Sequence, residues 1–204
     1  KWVVKGEPAP AGPAAPAAGK KPKRPVADNT VWKVGVNPAD GKKGGKEPLV
    51  TIVEFSEFQW PYCSGVGPAL APLKDAYGDD LAIVFKHFPL DFHKEAALAA
   101  EASLAAGEQG NFWGYHDILF DNQKALQRPQ LERYAELMGL DMAKFKAHLD
   151  NRTFKAKVDA DMAEGRKAGV RGTPSVFVNG RRANVSWRDS NAFKASIDRD
   201  ILGR

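Results

Sequence analysis

The chain has 204 residues, 43% of them hydrophobic, which suffices for one domain of ordinary size with its own core plus a tail. A single cysteine excludes an internal disulfide, and the lack of any run of about 18 apolar residues excludes a spanning helix. The net charge of +5 is uneven: residues 1–48 hold ten Lys and Arg against four acids, and residues 49–204 hold twenty against twenty-one. The basicity therefore belongs to the tail, which reads as a solubilising linker although it can also touch anionic surfaces.

Taken in order, Lys1-Trp2-Val3-Val4-Lys5 reads as the end of a preceding domain. The chain starts with Lys1 rather than Met, as a trimmed mature form would, so the missing signal segment says nothing of compartment. Residues 5–30 are Ala, Pro, Gly and Lys and cannot bury enough surface to offset their ordering entropy. Residues 1–47 are expected to form an extended linker or tail. Within it, Thr30 to Val36 alternates and predicts a short edge strand, followed by a loop from Asp40 to Pro48.

Val50, Thr51, Ile52, Val53 and Phe55 predict a strand buried on both faces. Pro61 then opens a helix, where a missing N–H costs nothing. This helix, from Tyr62 to about Tyr77, holds Gly65, Gly67, Pro68 and Pro72 and should be kinked. A second strand follows over Leu81 to Phe88. Asp91 is expected to cap a helix from Phe92 to Ala106, stopped by Gly107. Phe112 to Phe120 is an amphipathic helix, and Arg128–Met138, Met142–Leu149 and Arg152–Ala168 complete a helical run. Gly172-Thr173-Pro174 turns into a strand, Ser175 to Val178. Asn179-Gly180 is a strong hairpin signal, Arg181 to Val185 is the return strand, and Phe193, Ile197 and Ile201 mark a last helix. The order predicts an α/β sheet interrupted by an all-helical insertion over residues 91–166.

Cys63 lies in the first turn after a strand, a geometry suited to thiol redox chemistry. Two readings stand: an inert, buried thiol packed as a small hydrophobe, or a reactive one whose pKa is lowered by the helix terminus and raised by burial under Trp60. Glu54 sits mid-strand among apolar residues, where a carboxylate is costly unless paired or protonated. Lys86 is its candidate partner, or both reach solvent at a sheet end. His87, His93, His116 and His148 are scattered without ligand-like spacing, so no metal is expected. His116 reads as a core histidine and His93 as part of a helix start. Neither a phosphate loop, a serine-nucleophile motif nor a nucleic-acid module is found, and no cofactor is expected.

Glu54-Phe55-Ser56-Glu57-Phe58-Gln59-Trp60-Pro61-Tyr62-Cys63 resembles the active-site segment of the DsbA-like thioredoxin-fold disulfide oxidoreductases. Phe85-Lys86-His87-Phe88-Pro89-Leu90, Ala106-Gly107-Glu108-Gln109-Gly110-Asn111-Phe112-Trp113 and Val170-Arg171-Gly172-Thr173-Pro174-Ser175 resemble the same family in its order. The resemblance covers about residues 48–204 and implies a thioredoxin core (48–90 and 167–204) carrying a helical insertion. In that family the active segment ends Cys-Pro-x-Cys, and here Trp60 stands where the attacking cysteine belongs. Cys63 then matches the resolving cysteine, Glu54 the acid that assists proton transfer, and Pro174 a cis proline. The backbone of the residue before that proline, here Thr173, pairs with an extended substrate peptide. Trp60 caps a helix poorly and fills the place of a substrate sulfur, so the dithiol cycle is not available on this chain alone.

The expectation is an extracytoplasmic, redox-impaired module of peptide-binding or chaperone-like character. Its site is Trp60, Pro61, Tyr62, Cys63, Thr173 and Pro174, with extended or unfolded polypeptide as ligand, cysteine-containing proteins among them. One alternative is a single-thiol oxidoreductase or isomerase using Cys63. Another is a purely structural domain of a multi-domain envelope protein.

Overall fold

The computed structural model describes residues 30–183 and 185–203; the Lys1–Lys5 segment and the linker up to residue 29 lie outside that range. The apolar run forms strand β2, Val50–Ser56, with every residue but Thr51 buried. It pairs in parallel with β3, Leu81–His87, which is buried throughout. With β1 (Gly41–Gly44), β4 (Ser175–Val178) and β5 (Arg181–Arg182), these make one sheet of order β1-β3-β2-β4-β5. All pairings except β2 with β3 are antiparallel.

Two expectations about the edges of the sheet are corrected. The loop expected over Asp40 to Pro48 contains β1, so the sheet begins ahead of residue 48. Its sequence, Gly-Lys-Lys-Gly, carries no alternation, because both glycines answer to close approach. A Cβ on Gly41 would lie 2.0 Å from the Phe112 ring, and one on Gly44 would lie 2.1 Å from the Leu81 carbonyl oxygen. The edge strand expected over Thr30 to Val36 is reduced to one bridge, Val31 with Arg181, and a Trp32 N–H bond to the Gly180 carbonyl. The alternation there is real but serves packing: Trp32 and Val34 cover a cluster built on Val53, Phe55, Val84 and Phe177.

Strand periodicity sorts the core into two faces. Val50, Ile52, Leu81, Ile83, Val176 and Val178 face α1 (Val66–Tyr77) and α7 (Ser190–Ile197). Val53, Phe55, Val84 and Phe177 face the other way. Between β3 and β4 the chain makes α2 (Ala96–Glu108), α3 (Phe112–Asp121), α4 (Arg128–Leu137), α5 (Met142–Asp150) and α6 (Lys155–Lys167). The alanine-rich α2 lets Tyr115, Leu119, Leu131, Phe145 and Leu149 close around it.

Several boundaries move. The helix expected from Tyr62 divides into a short 3-10 turn, Cys63–Gly65, and α1, which keeps Pro72 in its interior. Asp91 is not a cap: residues 91–95 form turns, and α2 starts after Glu95. Gly107 does not stop α2 either; Gly110, at φ 81°, follows its end. Arg152 (φ 51°) is not helical, and α6 begins at Lys155. The return strand has two residues rather than five. Asn179 and Gly180 take φ of 46° and 79°, the left-handed pair a tight two-residue hairpin requires.

Candidate functional site

Strand β2 points Ile52, Glu54 and Ser56 to one face, and Ser56 is its last residue. The chain then turns through Trp60-Pro61-Tyr62, with the Cys63 N–H donating to the Trp60 carbonyl at 3.0 Å. Cys63 is 1% exposed. Burial pushes its thiol up to about 11, against the weaker pull of the Ser56 and Thr173 hydroxyls and the Glu57 backbone. The Cys63–Gly65 turn leads directly into α1 and has no side-chain cap, and burial outweighs what the helix terminus offers a thiolate. Of the two readings of Cys63, the geometry favours the buried thiol.

Glu54 is 4% exposed, and burial raises its carboxyl to about 7, with Ser56 and Lys43 opposing. Lys43 is half-buried in β1, its Nζ 3.9 Å from the centre of the Trp113 ring. Burial lowers the Lys43 pKa. The expected Glu54–Lys86 pair does not form, and neither residue reaches solvent. In register, Glu54 stands beside Phe85, and Phe55 beside Lys86, so the two charges occupy opposite faces. Lys86 instead meets Asp40 at 3.1 Å, Asp161 at 3.4 Å and Glu164 at 2.9 Å.

The turn over Cys63 is fastened to the helical insertion. Gln123 Nε2 donates to the carbonyls of Phe58 and Trp60, both at 2.9 Å. The Gln59 side chain accepts from the Glu95 N–H at 3.0 Å. Glu57, 1% exposed, accepts from the Gln59 N–H and pairs with His93 Nδ1. Glu57, Gln59, Gln123 and the clamping role of His93 were not legible in sequence. The partners are 36 to 65 residues apart, and only the acid in an apolar stretch hinted at them.

Above the thiol the site is aromatic. The Trp60 ring centre lies 5.2 Å from Tyr62, 5.4 Å from His93 and 6.2 Å from Phe92. Tyr62 and Phe92 are 56% and 69% exposed. The segment after β5 adds Trp187, close against Gly65, and Arg188, whose guanidinium lies over the rings of Trp187 and Tyr62 at 4.1 and 5.3 Å. On the β4 side, the Thr173–Pro174 peptide is cis, and the Thr173 hydroxyl, buried without a hydrogen-bond partner among the described residues, exerts a weak lowering pull on the Cys63 thiol. The structure thus brings Glu54, Cys63 and Thr173 into one electrostatic neighbourhood, with Pro61 exposed on the turn. His116 is a buried α3 residue bonded to Asp117 at 2.7 Å. Among the described residues no group of three or more His, Cys, Asp or Glu is arranged to hold a metal.

A thioredoxin family profile, Thioredoxin_4, matches residues 37–199. The chain belongs to this thioredoxin family. Several solved structures share its fold. BdbD of Bacillus subtilis in its oxidised form superposes with a TM-score of 0.71 at 24% identity, over 81% of this chain and 94% of that one. A thioredoxin-like oxidoreductase of Silicibacter pomeroyi gives 0.71 at 26%, over 80% and 93%. The α-DsbA1 of Wolbachia pipientis gives 0.69 at 20%, over 82% and 93%. Among curated proteins, the chain is 42% identical over 144 residues to a Na(+)/H(+) antiporter NhaA 3 of Salinispora tropica. It is 37% identical over 164 residues to an antiporter NhaA of Herminiimonas arsenicoxydans. The matches cover 70% and 80% of this chain but 22% and 26% of those proteins, so it spans about a quarter of their length. Among the described residues no helix is long and apolar enough to cross a membrane. This thioredoxin-family chain holds one cysteine, Cys63, and it is buried.

Proposed function

We propose that this domain is a redox-impaired, peptide-binding member of the DsbA-like group, working outside the cytoplasm. The observation that carries the reading is a contrast at the turn: a buried thiol at Cys63 and exposed aromatic rings at Tyr62 and Phe92. With its pKa near 11, on the order of one Cys63 in ten thousand is thiolate at pH 7, and the thiolate is the nucleophile. Trp60 lies where a substrate sulfur would approach, and its carbonyl is held by Gln123. Meanwhile Tyr62 and Phe92 offer rigid apolar surface of the kind that anchors a ligand. The Thr173 backbone lies ahead of β4 and outside the sheet pairing, which ends at Ser175, leaving it available to an extended chain.

The test compares Cys63→Ala with Trp60→Ala in peptide binding and in suppression of aggregation of an unfolded client. Binding retained in Cys63→Ala and weakened about tenfold or more in Trp60→Ala supports the reading. Loss in Cys63→Ala, with mixed disulfides trapped on the unaltered protein, would favour single-thiol exchange instead.

The curated relatives support a second, compatible reading. Domains like this one form about a quarter of chains named Na(+)/H(+) antiporters, so this domain acts as the companion of a membrane transporter. Cross-linking of the domain to such a transporter when both are produced in one cell tests it; a cross-linked set free of transporters would count against it.

A further inference from the structure

Arg188 is exposed and follows Trp187 in the loop between β5 and α7. Its guanidinium lies over the faces of two rings, Trp187 at 4.1 Å and Tyr62 at 5.3 Å. Trp187 is itself braced against the turn that carries Cys63, since a Cβ on Gly65 would lie 3.1 Å from its ring. A guanidinium stacked by its face keeps its N–H edge free, and that planar fork fits a carboxylate through two parallel hydrogen bonds. Among the described residues Arg188 has no acidic partner, whereas Arg128, Arg152 and Arg199 each hold a carboxylate. The nearest acid in sequence, Asp189, is already engaged, its carboxylate accepting from the Ala192 N–H as the cap of α7. The buried acid of the turn, Glu57, is likewise committed to His93 and the Gln59 N–H. A second exposed cation, Arg171, precedes Thr173 by two residues in the cis-proline loop and makes no ion pair among the described residues. Asp91, beside Phe92, is an exposed acid.

We propose that Arg188, stacked on Trp187 and Tyr62 with its fork unoccupied, recognises a carboxylate on the peptide bound at the Trp60–Pro174 surface. This rests on the peptide-binding reading and narrows it: the ligand is an extended segment that presents an acidic side chain or a free C-terminus next to an apolar residue. The rings hold the guanidinium in place, so little side-chain entropy remains to be lost on binding, and the apolar neighbour of the carboxylate packs on Tyr62.

The test uses cysteine-free twelve-residue peptides of alternating apolar and polar residues, titrated calorimetrically against the unaltered protein. Each comes in Glu and Gln versions, each with an amidated or a free C-terminus. The unaltered protein is expected to bind a carboxylate-bearing version about tenfold more tightly than the neutral amide. Preference for Glu over Gln in the amidated pair identifies a side-chain carboxylate; preference for the free acid in the Gln pair identifies the C-terminus. Arg188→Gln brings the ratio close to one, and Arg188→Lys, which keeps charge but loses the fork, gives an intermediate ratio. Equal binding of all four versions, or a preference that survives in Arg188→Gln, overturns carboxylate recognition while leaving peptide binding in place. Binding of none of the four overturns the peptide-binding reading, and the carboxylate site with it.

Discussion

Two buried charged residues one register step apart on neighbouring strands meet opposite fates. Lys86 on β3 is fully buried and sits among Asp40, Asp161 and Glu164, with Lys157 closing the cluster at 2.5 Å from Asp40 and 2.6 Å from Asp161. Burial alone would lower its pKa, but Glu164, Asp161 and Asp40 together raise it above the ordinary lysine value. Glu54 on β2, on the other face, has no acceptor or donor of good geometry for its Oε1 and gives up its charge near pH 7 instead. The saturated cluster is scaffold, tying α6 and the segment before β1 to the sheet. The unsaturated carboxyl is the group left free to titrate, and it lies beneath the thiol. Buried charge here is either kept by ion pairing, as at Lys86, or given up by protonation, as at Glu54.

The largest effect should come from breaking the complete cluster. Lys86→Met leaves Asp40 and Asp161 sharing Lys157 and takes from Glu164 its cation, and removing one partner of a buried ion cluster costs about 3–5 kcal/mol. Urea unfolding at pH 7 measures this. A cost below about 1 kcal/mol would mean that Lys157 alone satisfies the acids and would erase the contrast between the faces.

Glu54→Gln sharpens the other half. The folded-state carboxyl titrates near 7 against an ordinary value of 4.5, so between those values the folded protein holds a proton that the unfolded chain has released. Stability therefore falls as pH rises from about 4.5 through 7, by up to about 3 kcal/mol in total. The glutamine variant lacks this decline: it should match the unaltered protein near pH 4.5 and exceed it by that amount near pH 8. Unfolding midpoints across this range check the sign; parallel curves would mean that Glu54 is charged in the fold. Cys63, titrating near 11, does not enter that window.

The contrast also explains what was legible in the sequence. The apolar run of β2, the Asn179-Gly180 turn and the spacing of Phe193 and Ile197 each act within a few residues, so pattern alone locates them. Glu54 and Lys86 were legible as buried charges but not as strangers, because faces depend on parallel register, and one step of register reverses them. Strand β1 was invisible because its glycines answer to Phe112 and Leu81, which come from elsewhere in the chain. The turn around Trp60 was recognised by resemblance, yet the residues that fasten it, Glu57, His93, Gln59 and Gln123, meet only in the folded state. Arg188 carried no signal at all until Trp187 and Tyr62 were seen beneath it.

The smallest change tests how firmly the thiol is sealed. Gln123 donates to two carbonyls of the turn, Phe58 and Trp60, so Gln123→Ala should cost only about 1–2 kcal/mol of stability, the range for lost hydrogen bonds. Its effect on Cys63 should be larger in kind. With Glu57–His93 and Gln59–Glu95 left as the side-chain ties from the turn to the segment before α2, local opening becomes easier, and alkylation of native Cys63 should speed up by about tenfold, following the lost free energy. The rate should still rise with pH without levelling below about 9, because opening exposes an ordinary thiol rather than an activated one. A rate that levels well below 8.5 in either protein would instead reveal a stabilised thiolate, and the single-thiol exchange reaction would then displace peptide binding as the leading function of the turn.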